Sequence, residues 1–262
     1  MSILTSYASE SARDTAAPAA SNTGLCIFRS DTNAIEVSDG TSYQTYNSDG
    51  VIAHTFSSNT KALDFDGSND YVSIADDNTL DLTDNFSITA WVNFDSLSGA
   101  PMIFSKRASL SGHAYQFYST SNKLAFNNGG GINYSTATLS INTWYHVGVT
   151  FASGVVTFYL NGNPSGGFTS TNGSNPTNTY ELQIGRAFNG NYFNGKMDEV
   201  AIFNSVLTEP QILSIYNNKA YPPILSIWRF EDDVTDSVGS NDGTNNGATF
   251  VAKADDPANT PY

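Results

Sequence analysis

The chain of 262 residues has a single cysteine, Cys26, and few basic residues. One cysteine excludes a disulfide within the chain. Eleven lysines and arginines stand against 25 aspartates and glutamates, which gives a formal net charge of −14 at pH 7. This excess of acid, with scattered basic residues, argues against binding to nucleic-acid phosphates. It is compatible with cations and with neutral partners such as sugars.

Long apolar runs and an export signal are also missing. No run of about 18 apolar residues occurs, so we expect no membrane insertion. Residues 1–24 lack a basic segment followed by an apolar one, and are therefore not typical of a secretory signal. These features favour synthesis in a host cytoplasm, followed by release on a particle.

Short strands dominate what the sequence does contain. From residue 61 onward, apolar and polar residues alternate in short runs that are separated by turns rich in Asn and Gly. Strands are predicted at 62–65, 71–74, 86–94, 102–105, 114–119, 122–127, 144–151, 155–160, 180–185 and 197–203. This pattern predicts an all-β fold, an antiparallel two-sheet jelly-roll sandwich.

The spacing predicts one short helix near the end of these strands. Thr208 and Gln211 have the spacing of a capping box. Ile212, Ile215 and Tyr216 then lie on one helical face. A Pro-Pro pair ends this helix, and a last strand, acidic turn and strand follow.

Four stretches, in order, carry a resemblance to a known family. They are ALDFDGSNDYV at 62–72, FSITAWV at 86–92, NTWYHV with TFYLNG at 142–147 and 157–162, and FNGKMDEVAIF at 193–203. Together they resemble the laminin-G-like, concanavalin A-like jelly-roll family over residues 61–217. The resemblance implies the same sandwich fold with lectin-like loops.

The C-terminal segment resembles the opening strands of that family, although it follows the helix. Two interpretations stay open. In a circular permutation, residues 225–251 complete the sandwich of their own chain within a domain spanning 59–251, and 252–262 form a tail. Otherwise the segment is a truncated second repeat, or a strand donated to a neighbouring subunit.

The N-terminal segment has a resemblance of its own. Residues 24–44, GLCIFRSDTNAIEVSDGTSYQ, are similar to a short repeat of bacteriophage fibre and virion proteins. An extended arm at 1–24 and a small β-meander at 25–58 are predicted here, and the resemblance implies that they attach the protein to a virion. Residues 1–58 are expected to bind other virion proteins, of capsid or tail, or sister subunits in a homo-oligomer.

The sequence contains few candidate catalytic residues. The three histidines, His54, His113 and His146, are far apart in sequence. The Glu-x-Asp-x-x-Glu signature of related glycoside hydrolases is absent, and Asp198-Glu199 is the nearest pair. Adjacent strand residues point to opposite faces, so this pair is not expected to form a dyad. We therefore predict that the chain is not an enzyme.

Calcium is the one cofactor that the sequence suggests. Hard cations bind carboxylate and carbonyl oxygens. The family resemblance implies a calcium site at Asp198 and Asp242, with Asp66 as a third ligand. The alternative is that these are turn residues whose side chains bond to nearby backbone N–H groups.

Carbohydrate binding is predicted from rings in loops. Rings offer apolar faces to sugar C–H groups, and amides bond to hydroxyls. Four candidates are predicted to lie in loops: Tyr134, Tyr180, Arg186 and Tyr192. The same tyrosines could instead form a protein interface. The three tryptophans fall in strand patterns and are expected to fill the core: Trp91, Trp144 and Trp228.

The leading functional hypothesis is a non-enzymatic bacteriophage accessory protein on the virion surface. It would act as a capsid decoration or tail fibre component and contact host-surface glycans. The alternative is a secreted, extracellular bacterial module for carbohydrate binding or adhesion. A glycan hydrolase or lyase comes third.

Overall fold

The structure is a computed structural model. It describes the backbone of short strands within residues 5–53, and the chain at 60–107, 113–188, 190–218 and 221–253. The chain divides into two compact units. The first comprises residues 1–57 with 217–223, and the second 58–216 with 224–262.

The first unit contains a five-stranded sheet. Its strands, in spatial order, are β1 (Thr5–Tyr7), β2 (Cys26–Arg29), β3 (Ala34–Ser38), β4 (Tyr43–Tyr46) and β5 (Ile52–Ala53). β1 is parallel to β2, whereas β2 to β5 pair antiparallel as a meander. The other residues of the predicted arm, 1–4 and 8–24, lie outside the described part of the chain.

Two antiparallel sheets form the second unit. The seven-stranded sheet has the order β12 (Ile132–Tyr134), β11 (Lys123–Asn127), β10 (His113–Thr120), β9 (Met102–Arg107), β16 (Leu182–Ile184), β7 (Tyr71–Ile74), β19 (Gly243–Asn246). The eight-stranded sheet has the order β15 (Asn163–Thr169), β14 (Val155–Leu160), β13 (Trp144–Ala152), β8 (Asn85–Phe94), β17 (Asn194–Phe203), β6 (Lys61–Asp66), β20 (Thr249–Ala252), with β18 (Ser226–Trp228) also on β17. The predicted jelly-roll sandwich is confirmed.

The core lies between these two sheets. Along β8, every second residue faces it and is fully buried: Phe86, Ile88, Ala90, Val92 and Phe94. The ring of Phe86 stacks on Phe151 of the neighbouring strand β13, with centroids 5.2 Å apart. Period-2 alternation thus positions the inner faces, as the sequence pattern predicts.

One helix, α1 (Glu209–Asn218), covers part of the outer face of the eight-stranded sheet. Its predicted capping box is present: the Thr208 N–H donates to Gln211 Oε1 at 2.9 Å, and the Gln211 N–H to Thr208 Oγ1 at 3.4 Å. Tyr216 stacks on Trp91 of β8, with centroids 5.7 Å apart. Among the described residues, no helix has the length and apolar character needed to cross a membrane.

The C-terminal segment returns to the sheets of its own chain. β18 pairs with β17, β19 with β7, and β20 with β6. A circular permutation as the origin of this order stays a hypothesis. The predicted tail begins too early, because Lys253 is 5% exposed and forms a buried ion pair with Asp198.

Two edge strands were not predicted from sequence. β15 contains Pro164 and two glycines, which weaken a strand pattern but are tolerated at an edge. β12 follows the Gly-rich loop and is exposed throughout. Tyr134, predicted in a loop, therefore lies on a strand, paired in register with Ala125.

Candidate functional site

A cleft of about 510 Å³ opens at the eight-stranded sheet. The residues that matter for its chemistry are Asn93, Asp95, Asn142, Thr143, Trp144 and Lys196. They combine an indole, two amides, a hydroxyl, a carboxylate and an ammonium group.

Strand register explains why several of these side chains meet. Trp144 of β13 is paired with Asn93 of β8, Asn93 with Lys196 of β17, and Lys196 with Asp64 of β6. Residues directly opposite one another on adjacent strands share a face. The inward alternation of Val92 on β8 places this row on the outer face.

Trp144 differs from the other two tryptophans, which are buried: Trp228 in the core between the sheets, and Trp91 under helix α1. Trp91 is 2% exposed and Trp228 is fully buried, whereas Trp144 is partly exposed and lines the cleft. The expectation that Trp144 belongs to the core is therefore wrong. Helix α1 covers the sheet at Trp91 and His146, and Trp144 lies beyond that contact.

Asn93 brings an unsatisfied acceptor to the cleft. Its Oδ1 is buried and has no hydrogen-bond partner. A buried acceptor left unpaired costs about 1–3 kcal/mol. A ligand hydroxyl that donates to this oxygen would recover part of that cost.

The positively charged side chains at the cleft pair with carboxylates, and Lys253, which also lines it, pairs with the buried Asp198. Lys196 Nζ lies 3.8 Å from Asp64 Oδ1 and 3.5 Å from Asp95 Oδ2. Burial raises the pKa of Asp64 above its usual value, although the charge of Lys196 opposes this shift. One ammonium group thus faces two carboxylates.

A second cluster forms at the seven-stranded sheet. The guanidinium carbon of Arg186 lies 4.3 Å from the ring centroid of Tyr71 and 5.9 Å from that of Tyr192. The structure therefore brings together two of the predicted carbohydrate-binding residues, Arg186 and Tyr192. Tyr71 was missed because its strand pattern indicated only a structural role.

The other two predicted sugar-binding residues lie apart. Tyr134 and Tyr180 are 43% and 42% exposed. Neither lines the cleft, and neither ring lies over the guanidinium of Arg186. The backbone carbonyl of Tyr180 instead accepts from Lys106 Nζ at 3.1 Å.

The three predicted calcium ligands have local partners. Asp66 Oδ1 accepts from two turn N–H groups, which lower the pKa of that carboxyl. Asp242 Oδ1 accepts from the Asp236 N–H at 2.9 Å, and Asp198 pairs with Lys253. In the described part of the chain, no group of three or more His, Cys, Asp or Glu could hold a metal. Calcium binding stays a prediction.

Of the histidines, only His146 has a described side chain. It is 1% exposed, and burial lowers its pKa to about 3. Its ring packs against Trp91 and Tyr216. His146 is therefore neutral and structural. His54 and the side chain of His113 lie outside the described residues.

A β-bulge changes the geometry of the Asp198-Glu199 pair. The register of β17 against β8 shifts between Asp198 and Ala201. Met197 and Val200 both belong to the core, so two residues rather than one stand between inward positions. The expectation that Asp198 and Glu199 point to opposite faces requires strict alternation, which does not hold at this point.

A model of the concanavalin A-like lectin/glucanases superfamily matches residues 66–213. No curated protein matches the chain. A candidate carbohydrate-binding protein from Bacteroides ovatus has a similar structure, with a TM-score of 0.62 and 20% identity over 88% of this chain and 70% of that one. The heptameric SAP-like pentraxin of Limulus polyphemus matches at a TM-score of 0.56 and 14% identity, over 76% of this chain and 97% of the pentraxin. At these identities the likeness concerns the fold.

Proposed function

The chain belongs to the concanavalin A-like lectin/glucanases superfamily, and we propose on this premise that it is a non-catalytic carbohydrate-binding module. The observation that carries the proposal is the row of Trp144, Asn93, Lys196 and Asp64 across the cleft. The fold shared with the candidate carbohydrate-binding protein from Bacteroides ovatus supports it.

The cleft offers the contacts that a sugar ring requires. The indole of Trp144 supplies an apolar face for C–H groups, and the amide of Asn93 and the carboxylate of Asp95 accept from hydroxyls. A volume of about 510 Å³ is in the range of small-ligand sites. It suits a short segment of a glycan.

The charge of the cleft selects among glycans. The charge of Lys253 is balanced by Asp198. Asp95, together with Asp64, which adjoins the cleft, outweighs Lys196. A sugar with a carboxylate or sulfate would meet net repulsion, since like charges brought together are unfavourable. The preferred ligand of the cleft is therefore a neutral saccharide.

The same carboxylates bear on the enzymatic alternative. A glycosidase needs one carboxylic acid that keeps its proton and a second carboxylate that is ionised. Asp64 and Asp95 instead share one ion-pair partner, the ammonium group of Lys196. This arrangement supports binding rather than hydrolysis.

Substitution of Trp144 tests the proposal. A glycan array followed by titration calorimetry would identify a neutral ligand of the full chain. We expect Trp144→Ala to weaken that binding at least about fivefold, because a stacked ring contributes about 1 kcal/mol or more.

Matched controls are Tyr134→Ala and Tyr180→Ala, which remove exposed rings elsewhere on the same unit. Both should bind as the wild type does. The proposal fails if Trp144→Ala binds normally, or if no neutral glycan binds. Release of reducing ends on incubation with the ligand would instead support an enzyme.

A second role rests on the N-terminal unit. Its strands β2, β3 and β4 fall on the segment that resembles phage fibre proteins. We propose that this unit attaches the module to a virion, as a capsid decoration or fibre, and presents it to cell-surface glycans. Immunogold labelling of purified particles tests this role, which is abandoned if the particles carry no label.

A further inference from the structure

Arg186 lies against two tyrosine rings at the outer face of the seven-stranded sheet. Its guanidinium carbon is 4.3 Å from the ring centroid of Tyr71. Tyr71 precedes Val72, which is fully buried in the core, so alternation places the tyrosine on the outer face. The ring centroid of Tyr192 lies 5.9 Å from the same guanidinium carbon.

The donors of Arg186 have no acceptor. A guanidinium carries five N–H donors, and no described residue forms a hydrogen bond or ion pair with that of Arg186; its Nε is buried and unpartnered. Four lysines of this acidic chain differ, because Lys61, Lys106, Lys196 and Lys253 each pair with an aspartate.

A closed loop holds the cluster in shape. The Phe193 N–H donates to the Gly185 carbonyl at 2.8 Å, which brings Arg186 and Tyr192 to the neck of the loop. Gly185 has a φ of +85°, and a Cβ there would lie 2.5 Å from the ring of Phe65. The backbone at Gly185 is therefore constrained, so a ligand would meet a pre-positioned Arg186 beside it.

We propose that Arg186, Tyr71 and Tyr192 form a second saccharide site, which binds the carboxylate of an acidic sugar such as a uronic or sialic acid. The planar fork of a guanidinium matches a carboxylate with two parallel hydrogen bonds. The tyrosine rings offer apolar faces to the sugar ring. Asn246, paired in register with Tyr71, adds an amide beside them.

This site complements the cleft at Trp144 in charge. The cleft disfavours anionic sugars, whereas among the described residues no carboxylate lies within ion-pair distance of Arg186. The inference rests on the proposed function only in taking the ligand to be a glycan, and it uses none of the residues of the cleft.

Titration calorimetry on the full chain tests the site. The probes are trigalacturonic acid and 3′-sialyllactose, with the methyl ester of the first and lactose as neutral counterparts. We expect each acid to bind at least about tenfold more tightly than its neutral counterpart, as a charge-assisted bidentate pair requires. Binding of the acids should also weaken with added salt.

Variants assign the effect to Arg186. Arg186→Gln should abolish the preference for the acids, and Arg186→Lys should keep only part of it, because an ammonium lacks the planar fork. Lys123→Gln, which removes a cation on β11 of the same unit, is the matched control and should bind the acids normally. Thermal unfolding of each variant establishes that it is folded. If Arg186→Gln does not fold, Arg186→Lys takes its place as the test.

Several outcomes overturn the inference: equal binding of acid and ester, normal binding of the acids by Arg186→Gln and Arg186→Lys, or equal binding of a sulfated oligosaccharide. If a neutral glycan binds through Trp144 and no acidic sugar binds, this inference fails and the cleft proposal stands. If the acidic sugars bind through Arg186 and no neutral glycan binds, the cleft proposal fails and the proposal for Arg186 stands.

Discussion

Lys106 is fully buried, and its ammonium group lies among oxygens from two loops. Its Nζ is 2.5 Å from Asp76 Oδ1, 2.7 Å from the Asn178 carbonyl and 3.1 Å from the Tyr180 carbonyl. Asp81 Oδ1 lies 3.4 Å away. One lysine thus supplies the positive charge that joins the loop before β8 to the loop before β16.

Loss of this charge should destabilise the fold. We expect Lys106→Met to lower the free energy of unfolding by roughly 2–4 kcal/mol, because it leaves two carboxylates without a partner. The cost stays below that of a fully buried pair, since the side chains of Asp76 and Asp81 are 31% and 24% exposed. Urea unfolding at pH 7 measures it.

Lys123→Met is the matched control, because Lys123 lies on β11 and forms no ion pair in the described part of the chain. It should change stability by less than about 0.5 kcal/mol. Equal stability of Lys106→Met and the wild type would contradict the role given to the buried ammonium.

Trp144 shows where residue-level prediction ends. The sequence places Trp91 and Trp144 in strands, and hydrophobicity favours burial of both. Burial on the outer face depends on helix α1, which is remote in sequence and covers Trp91 but not Trp144. The cleft could not be predicted because its row joins four strands, and register between them is a tertiary property.

At the scale of elements, helix α1 seals a face of the sheet that would otherwise meet water. Tyr216 packs on Trp91 and His146, at centroid distances of 5.7 and 6.0 Å. The helix was predicted because its signals are local, in the capping box and the apolar spacing. β15 was missed because Gly and Pro contribute no such signal, and only pairing with β14 makes it a strand.

The burial of His146 beneath helix α1 makes the stability of the fold depend on pH. His146 has a folded pKa of about 3, below the usual value of 6.5. As the pH falls, His146 therefore takes up a proton in the unfolded chain before it does so in the folded one. The contribution of the neutral His146 to stability is intact above pH 6.5, and stability falls as the pH drops toward 3. Between pH 6.5 and 4.5 the expected loss is roughly 2–3 kcal/mol.

Urea unfolding at pH 7, 5.5 and 4.5 checks this dependence. His146→Gln should flatten the slope, whereas Lys123→Met, which removes no histidine, should leave it unchanged. Below about pH 4, Asp66 and Asp77 add a further loss, because backbone N–H groups lower their pKa values. Parallel slopes for His146→Gln and the wild type would refute the assignment.

At the scale of the whole molecule, the C-terminal segment completes both sheets. It adds β19 to β7 and β20 to β6, and it contributes Trp228, Phe230, Val234 and Ala248 to the core. The Trp228 indole N–H donates to the Asn241 carbonyl at 2.9 Å. The family resemblance of this segment could be read from sequence, but its pairing partner could not.

The last prediction concerns where this segment pairs. A chain that ends at Pro223 loses a buried tryptophan, whose removal alone costs about 3–5 kcal/mol, and exposes the edges of β6 and β7. We expect it to lose cooperative unfolding, since total stability is about 5–15 kcal/mol. A chain that ends at Lys253 keeps every described strand and should unfold as the wild type does. Pairing within one subunit also requires a midpoint independent of protein concentration. A midpoint that rises with concentration would favour a strand donated between subunits.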